Sequence, residues 1–266
     1  MFASWKTKLY KAIMQYEDGR DFALWPEHMS LEDLIRKRDD PTYSGYVGSL
    51  SFAQEYQNQP FDPDDALVQP EWINWIEPGK VPTGSYIVAS AIAVDPAASE
   101  KTTADPTAKI YAELDVEGNL YVRAVGNKRM SPTKAAKDLR DWYTVFEPNR
   151  IGMEEGVLGL VFRDLLAGLP VIGMKPDSDK VRRLLAVSRF FEGGKIFIVK
   201  GIKNGQALYD QLIEFPSGSH DDMVDALVYA IRMLLVQGIP SEEDVDTAGD
   251  YDKLGEEDDE DEQDDW

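Results

Sequence analysis

The chain has 266 residues, 49 of them acidic and 28 basic, for a formal net charge of -21. A protein that coats DNA along a basic surface is excluded by that balance, and the absence of cysteine excludes a disulfide scaffold, a thiol nucleophile and any thiolate zinc site. With only His28 and His220 as imidazoles, a bound metal has to be held mostly by oxygen, which favours Mg²⁺, Mn²⁺ or Ca²⁺.

The charge is unevenly spread. Residues 241–266 hold 15 acids against the single Lys253, so this segment carries -14 and the other 240 residues only -7. The segment from 239 on has too few apolar residues to pack and too much like charge to compact, and is expected to be disordered. At 43% apolar and 11% aromatic residues, the body is rich enough for one proper core. The apolar stretch from Ile87 to Val94 is too short to span a bilayer, and MFASWKTKLY has no signal-peptide pattern, so the expectation is a protein of the cytoplasm without a membrane partner.

In chain order, residues 1–80 read as a connector. Ser30 followed by Glu32 and Asp33 marks the capped start of a short helix. Five prolines from Pro41 to Pro78 then break up any longer element. From 81 to 238 the elements are clear. SYIVASAIAVD is a strand ending at Asp95, and AKIYAELDV and NLYVRAV flank the hairpin signal Glu117-Gly118. Ser131 and Pro132 open a helix whose apolar residues Ala135, Leu139, Trp142, Tyr143 and Phe146 keep helical spacing. The strand RIGME follows, then a helix ending at Gly168, the strand PVIGMK, a helix closed by Gly193-Gly194, the strand KIFIVK and the helix NGQALYDQLIEF. A long amphipathic helix, capped by Ser219 and stopped by Gly238, comes last. Three hairpin-linked strands followed by βα units predict an α/β, ribonuclease-H-like mixed sheet (three antiparallel strands then βα units) flanked by helices.

Three places put acids where metal chemistry can use them. Asp95 ends the most apolar strand, although Asp-Pro also serves simply to end a strand and begin a turn. Glu154-Glu155 follow the strand at 150, and equally suit the positive start of the next helix. Asp221, Asp222 and Asp225 fall on one face of the last helix. Capping explains one or two such acids, but like charges three and four apart repel, and a cation relieves that repulsion. In a sheet of this topology these three places converge, and carboxylates there can hold two divalent metals about 3.5–4 Å apart for phosphodiester hydrolysis.

The ordered set SFAQEYQNQP at 51–60, VDPA at 94–97, TADPTA at 103–108, GMEEG at 152–156, DKVRR at 179–183 and FPSGSHDDMVDAL at 215–227 resembles the C-terminal nuclease region of the large terminase subunit of tailed bacteriophages. The resemblance covers most of residues 20–235, and ALWPEHMSLEDLIRKR at 23–38 looks like the end of the ATPase domain that precedes it in that family. It implies a Mg²⁺- or Mn²⁺-dependent endodeoxyribonuclease that cuts concatemeric viral DNA during packaging. Its implied partners are double-stranded DNA, the portal or procapsid and the small terminase subunit, and its implied setting is the host cytoplasm. Carried over by position, Asp95, Glu154 and Asp222 are the catalytic set. Metal ligands come from these three with Asp221 and Asp225, Glu155 being a weaker choice than Glu154. Lys180, Arg182 and Arg183 are expected to face DNA, in a segment (175–203) where eight bases stand against three acids. Phe190 and Phe191 read as core rather than base-stacking platforms. The family's phosphate-binding GxxxxGK[ST] loop does not occur, since Gly193-Gly194-Lys195 runs into Ile196. The ATPase is therefore expected in another chain or in a part removed from this one. A Holliday-junction-resolvase or transposase-like nuclease of the same fold is an alternative reading, and so is a non-catalytic docking module of the packaging motor.

Overall fold

A computed structural model of the protein describes residues 9–59, 66–97, 106–155, 161–162, 164–175, 179–218 and 220–236. The acidic segment from 239 on, and the expected cap Ser219 and stop Gly238 of the last helix, lie outside the described residues.

The N-terminal part opens with a two-stranded antiparallel pair, β1 (Ile13–Gln15) and β2 (Asp21–Ala23). Two helices follow, α1 (Leu31–Asp39) and α2 (Ser49–Glu55). Ser30 caps α1 as expected, its Oγ accepting from the Asp33 N–H at 3.1 Å. Ile13, Ala23, Leu34 and Phe52 form the small core of this part.

The main sheet takes its strands from β3 (Asn74–Ile76), β4 (Ile87–Asp95), β5 (Thr107–Asp115), β6 (Leu120–Lys128), β7 (Arg150–Glu154), β8 (Val171–Met174) and β9 (Ile196–Val199). Its helices with both ends among the described residues are α3 (Pro132–Phe146), α4 (Lys180–Glu192), α5 (Gly205–Glu214) and α6 (Asp222–Ile231), and the start of the helix expected to end at Gly168 lies outside the described residues. The order across the seven strands is β3-β9-β6-β5-β4-β7-β8. Strands β4, β5 and β6 are antiparallel neighbours, while β7 and β8 run parallel to β4, and β9 and β3 parallel to β6. This is the mixed ribonuclease-H-like sheet the element order predicts. The β5–β6 turn is made where expected: Gly118 takes φ 77°, and the Asp115 carboxylate accepts from the Glu117 and Asn119 N–H groups. Strand β3 lies before residue 81, where the sequence expectation begins the domain; it pairs with β9, and the neighbouring Leu67, Val68 and Ile73 are buried in the main core.

The strand pleat sorts side chains to two faces. On β4, Ile92 and Val94 turn toward α3 with Tyr111, Ile151, Met153, Ala135, Ala136 and Leu139. Ala91 and Ala93 turn the other way, toward α4, α5 and α6. The small alanines there let α6 lie close against β4 and β5. All ten residues of α6 are buried, so the expected polar face is missing, because the helix is covered by the sheet below and by α4 and α5 beside it. It begins at Asp222 with Asp221, rather than the expected Ser219, as its N-cap residue and passes into a π-turn at Arg232–Val236. Phe191 is fully buried and Phe190 half-buried, both in the core as expected. Among the described residues no helix is long and apolar enough to cross a membrane.

Candidate active site

The alternation that sends Ile92 and Val94 to the α3 face sends Asp95, the next residue of β4, to the α6 face. On β7 the same rule applies, with Ile151 and Met153 facing α3 and Gly152 and Glu154 facing α6. The parallel register ends on Val94↔Met153, so Asp95 and Glu154 are next to each other at the same end of the sheet, about one strand spacing of 4.8 Å apart along the backbone. Gly152 lies directly under Met233, where a Cβ would collide with the thioether, so glycine here lets the end of α6 settle onto β7. Helix α6 begins over this end of the sheet and brings Asp222 and Asp225, 6% and 5% exposed, to the same place.

Two cations from α4 are threaded through these acids. Lys180 Nζ lies 2.7 Å from Asp221 Oδ1 and 2.9 Å from Asp225 Oδ2. Arg183 Nη2 lies 2.9 Å from Asp225 Oδ1, and its Nη1 reaches Glu154 Oε2 at 3.2 Å and the Tyr229 hydroxyl at 2.9 Å. Tyr229 in turn donates to Glu154 Oε2. Asp225 therefore has one cation on each oxygen, and Glu154 is oriented from two sides.

The electrostatics reflect this crowding. Burial first, and then the negative charges of Asp225, Asp222 and Glu154, push the Asp95 carboxyl up to about 7, against a partial pull downward from Lys180. Burial works against the Lys180 ammonium, but its hydrogen bonds to Asp221 and Asp225 outweigh that and hold its pKa above the ordinary lysine value. Burial, followed by donation to Glu154, raises the Tyr229 hydroxyl.

The structure thus brings Asp95, Glu154, Asp222 and Asp225 into one electrostatic cluster, with Asp221 at its rim on Lys180. Glu155 is turned away from them, its side chain lying over Gly173 of β8 where a Cβ would collide with it. Among the described residues no three acid or histidine side chains stand in a metal-ligating arrangement as they lie, and Lys180, Arg183 and Tyr229 occupy oxygens of Asp221, Asp225 and Glu154. The donor set is nonetheless chemically suited to a hard divalent ion. It is all oxygen and clustered, and in Asp95 it includes a carboxyl whose ionised form a nearby cation would favour.

The expected DNA-facing trio divides. Arg182 keeps its side chain 77% exposed on the surface of α4. Arg183 is 7% exposed and committed to Glu154 and Asp225, because the buried Asp225 carboxylate at that point requires a buried cation. Lys180 is half-buried and bridges two acids. Tyr229 was not foreseen, although it stands four residues after Asp225, one helical turn away on the same side of α6.

Comparison with known proteins agrees with this architecture. The profile of the family described as the terminase RNaseH-like domain matches residues 92–234, which run from the middle of β4 into the π-turn after α6. No curated protein matches. Among solved structures, the large terminase of a thermophilic bacteriophage in complex with ADP superposes with a TM-score of 0.57 at 14% identity, over 79% of this chain and 53% of that one. Another crystal form of the same phage protein gives 0.55 at 16% identity, over 78% of this chain and 52% of that one. At such identities the likeness is one of fold, and the chain spans about half the length of that terminase. With more than half of its residues inside the family profile, the chain belongs to the terminase RNaseH-like domain family.

Proposed function

We propose that this chain is a divalent-metal-dependent endodeoxyribonuclease, the part of a phage DNA-packaging terminase that cuts concatemeric DNA. The observation that carries the reading is the convergence of Asp95, Glu154 and the start of α6 on one sheet end, with the Asp95 carboxyl pushed up to about 7. The proposed ligands are Asp95, Glu154 and Asp222, with Asp221 and Asp225 beside them, and the proposed ions are Mg²⁺ or Mn²⁺. Asp95, Glu154 and Asp222 would hold the divalent ions, whose charge would supply water activation and stabilisation of the leaving oxygen of a phosphodiester. What the protein itself supplies is placement. Arg183 and Tyr229 fix the orientation of Glu154 and Asp225, β4 and α6 hold Asp95 and Asp222 rigidly, and Lys180 neutralises Asp221 and Asp225 at the open side. Arg182, exposed on α4, is the proposed contact to a DNA phosphate. Portal or procapsid and the small subunit are the proposed protein partners, and ATP hydrolysis is assigned to a different domain or chain. The same reading takes 1–80 as a connector, 81–238 as the nuclease domain, to which β3 adds an edge strand, and 239–266 as an acidic tail.

The test is cleavage of supercoiled plasmid with Mg²⁺ or Mn²⁺. The protein should nick and linearise it with little sequence preference, and Asp95→Asn, Glu154→Gln and Asp222→Asn should each abolish cutting while leaving the fold intact. Undiminished cutting by Asp95→Asn would remove the assignment.

A further inference from the structure

On the α3 face of the sheet, a cavity of about 490 Å³ lies between β5, β6, α3 and the turn before α5. It is separate from the acid cluster. Thr107 and Lys109, which line it, alternate along β5 with Ala108 and Ile110, which face α6. We propose that the cavity is the docking site for the chain's own acidic segment, with Trp266 inside it and Asp264 and Asp265 against the lysines at its rim. The proposal does not depend on the nuclease reading.

The lining calls for a ligand of mixed chemistry. Asp138 is the only carboxylate in it among the described residues, and Lys109 already neutralises it, resting 3.9 Å from the centre of the Trp142 ring. The open charge is therefore that of Lys128 and Lys203, both exposed. Val125, Met130 and Trp142 supply an apolar wall. Asn127 Oδ1 in that wall is buried and makes no hydrogen bond, so it is an acceptor without a donor. A phosphodiester carries no donor and leaves this oxygen unpaired. An indole flanked by carboxylates meets all three features: an apolar ring, an N–H to donate, and negative charge for the lysines.

The sequence supplies that combination once. Of the six tryptophans, Trp266 alone follows two acids directly, and residues 256–265 hold nine acids and no base. The surroundings of the cavity have the matching sign: residues 126–137 hold Lys128, Arg129, Lys134 and Lys137 and no acid, in a body of net charge -7 that elsewhere favours acids. The reach is sufficient. Residues 237–263 span up to about 90 Å when extended, against roughly 70 Å for a path halfway round a body about 45 Å across. Tethering holds the segment at a local concentration of about millimolar, so individually weak contacts suffice.

The test is zero-length carbodiimide cross-linking of the full chain at low salt, with the links mapped by mass spectrometry in the monomer band. The exposed Lys180–Asp221 pair, 2.7 Å apart, is the internal positive control. Asp264 and Asp265 should link to Lys128 and Lys203 at least about 10-fold more than to Lys195, which lies beside the Glu117 turn at the opposite end of the sheet. Trp266→Ala, a change outside the folded core, should lower the links to Lys128 and Lys203 by at least about 5-fold. Links spread evenly over the surface lysines would overturn the proposal, as would links that Trp266→Ala leaves unchanged, links found only between two copies, or none where the control pair has reacted. Anisotropy of a labelled 20-base-pair duplex in EDTA separates the other occupant. K128Q/K203Q should bind it within about 2-fold of wild type, and a loss of 10-fold or more would assign these lysines to nucleic acid and overturn the docking.

Discussion

Replacing Asp95 with asparagine should stabilise the protein in the absence of metal, and the gain should depend on pH. In the folded chain the Asp95 carboxyl is pushed up to about 7, whereas its ordinary value is 3.8. The folded state therefore resists ionisation of this group and the unfolded state does not. The sign follows by linkage: the penalty is nearly absent below the ordinary value, grows as pH rises, and is complete above the folded value. A difference of about three pH units at 1.36 kcal/mol each sets a ceiling of about 4 kcal/mol at pH 8, falling to roughly 0.5 kcal/mol at pH 4. Asparagine keeps the shape and discards the charge, so urea unfolding in EDTA should show Asp95→Asn more stable than wild type at pH 8, by up to that amount, with the two nearly equal at pH 4. An Asp95→Asn variant no more stable than wild type at pH 8, or a gain that does not change with pH, would refute the claim that Asp95 sits buried among other acids.

Arg183→Met should cost about 3–5 kcal/mol in urea unfolding, because it leaves Glu154 and Asp225 without their buried cation; a loss below 1 kcal/mol would mean the arginine is not the anchor of the cluster. Mn²⁺ should raise the unfolding free energy of wild type by about 2.7 kcal/mol at 100 times its Kd, and should do much less for Asp95→Asn or Asp222→Asn. Equal stabilisation of all three proteins would place the metal elsewhere.

Much of this fold was legible because each element carries a strong local signal. The β4 run of apolar residues, the Asp115–Asn119 turn, the Ser30 cap and the Ser131-Pro132 helix start are decided by neighbours in sequence, and the structure realises each. Strand β3 was not legible. Its three residues are too short to show a period, and it exists because β9 offers an edge and Ile73 a buried neighbour. The long last helix was visible, but its complete burial was not, because Tyr229, Ala226 and Ala230 look neutral until α4 and α5 cover them. Strand ends and a helix start singled out Asp95, Glu154 and Asp222 in the sequence, and the fold brings the three together. The inward turn of Arg183 did not show. Lysine and arginine on a helix start look alike in sequence whether they reach DNA or a carboxylate from a neighbouring strand, and only the crossing of α4 over β7 and α6 distinguishes them. The net charge of -21 is likewise a sum of separate parts: an acidic terminal segment, acids gathered at one sheet end, and bases gathered in residues 175–203.

The most direct test of the metal-dependent nuclease is a crystal of the protein soaked in Mn²⁺, with anomalous scattering measured at the manganese edge. The account predicts two peaks about 3.5–4 Å apart, bounded by Asp95, Glu154 and Asp222. No peak between these carboxylates at saturating Mn²⁺, with Lys180 and Arg183 still the only cations against them, would contradict it.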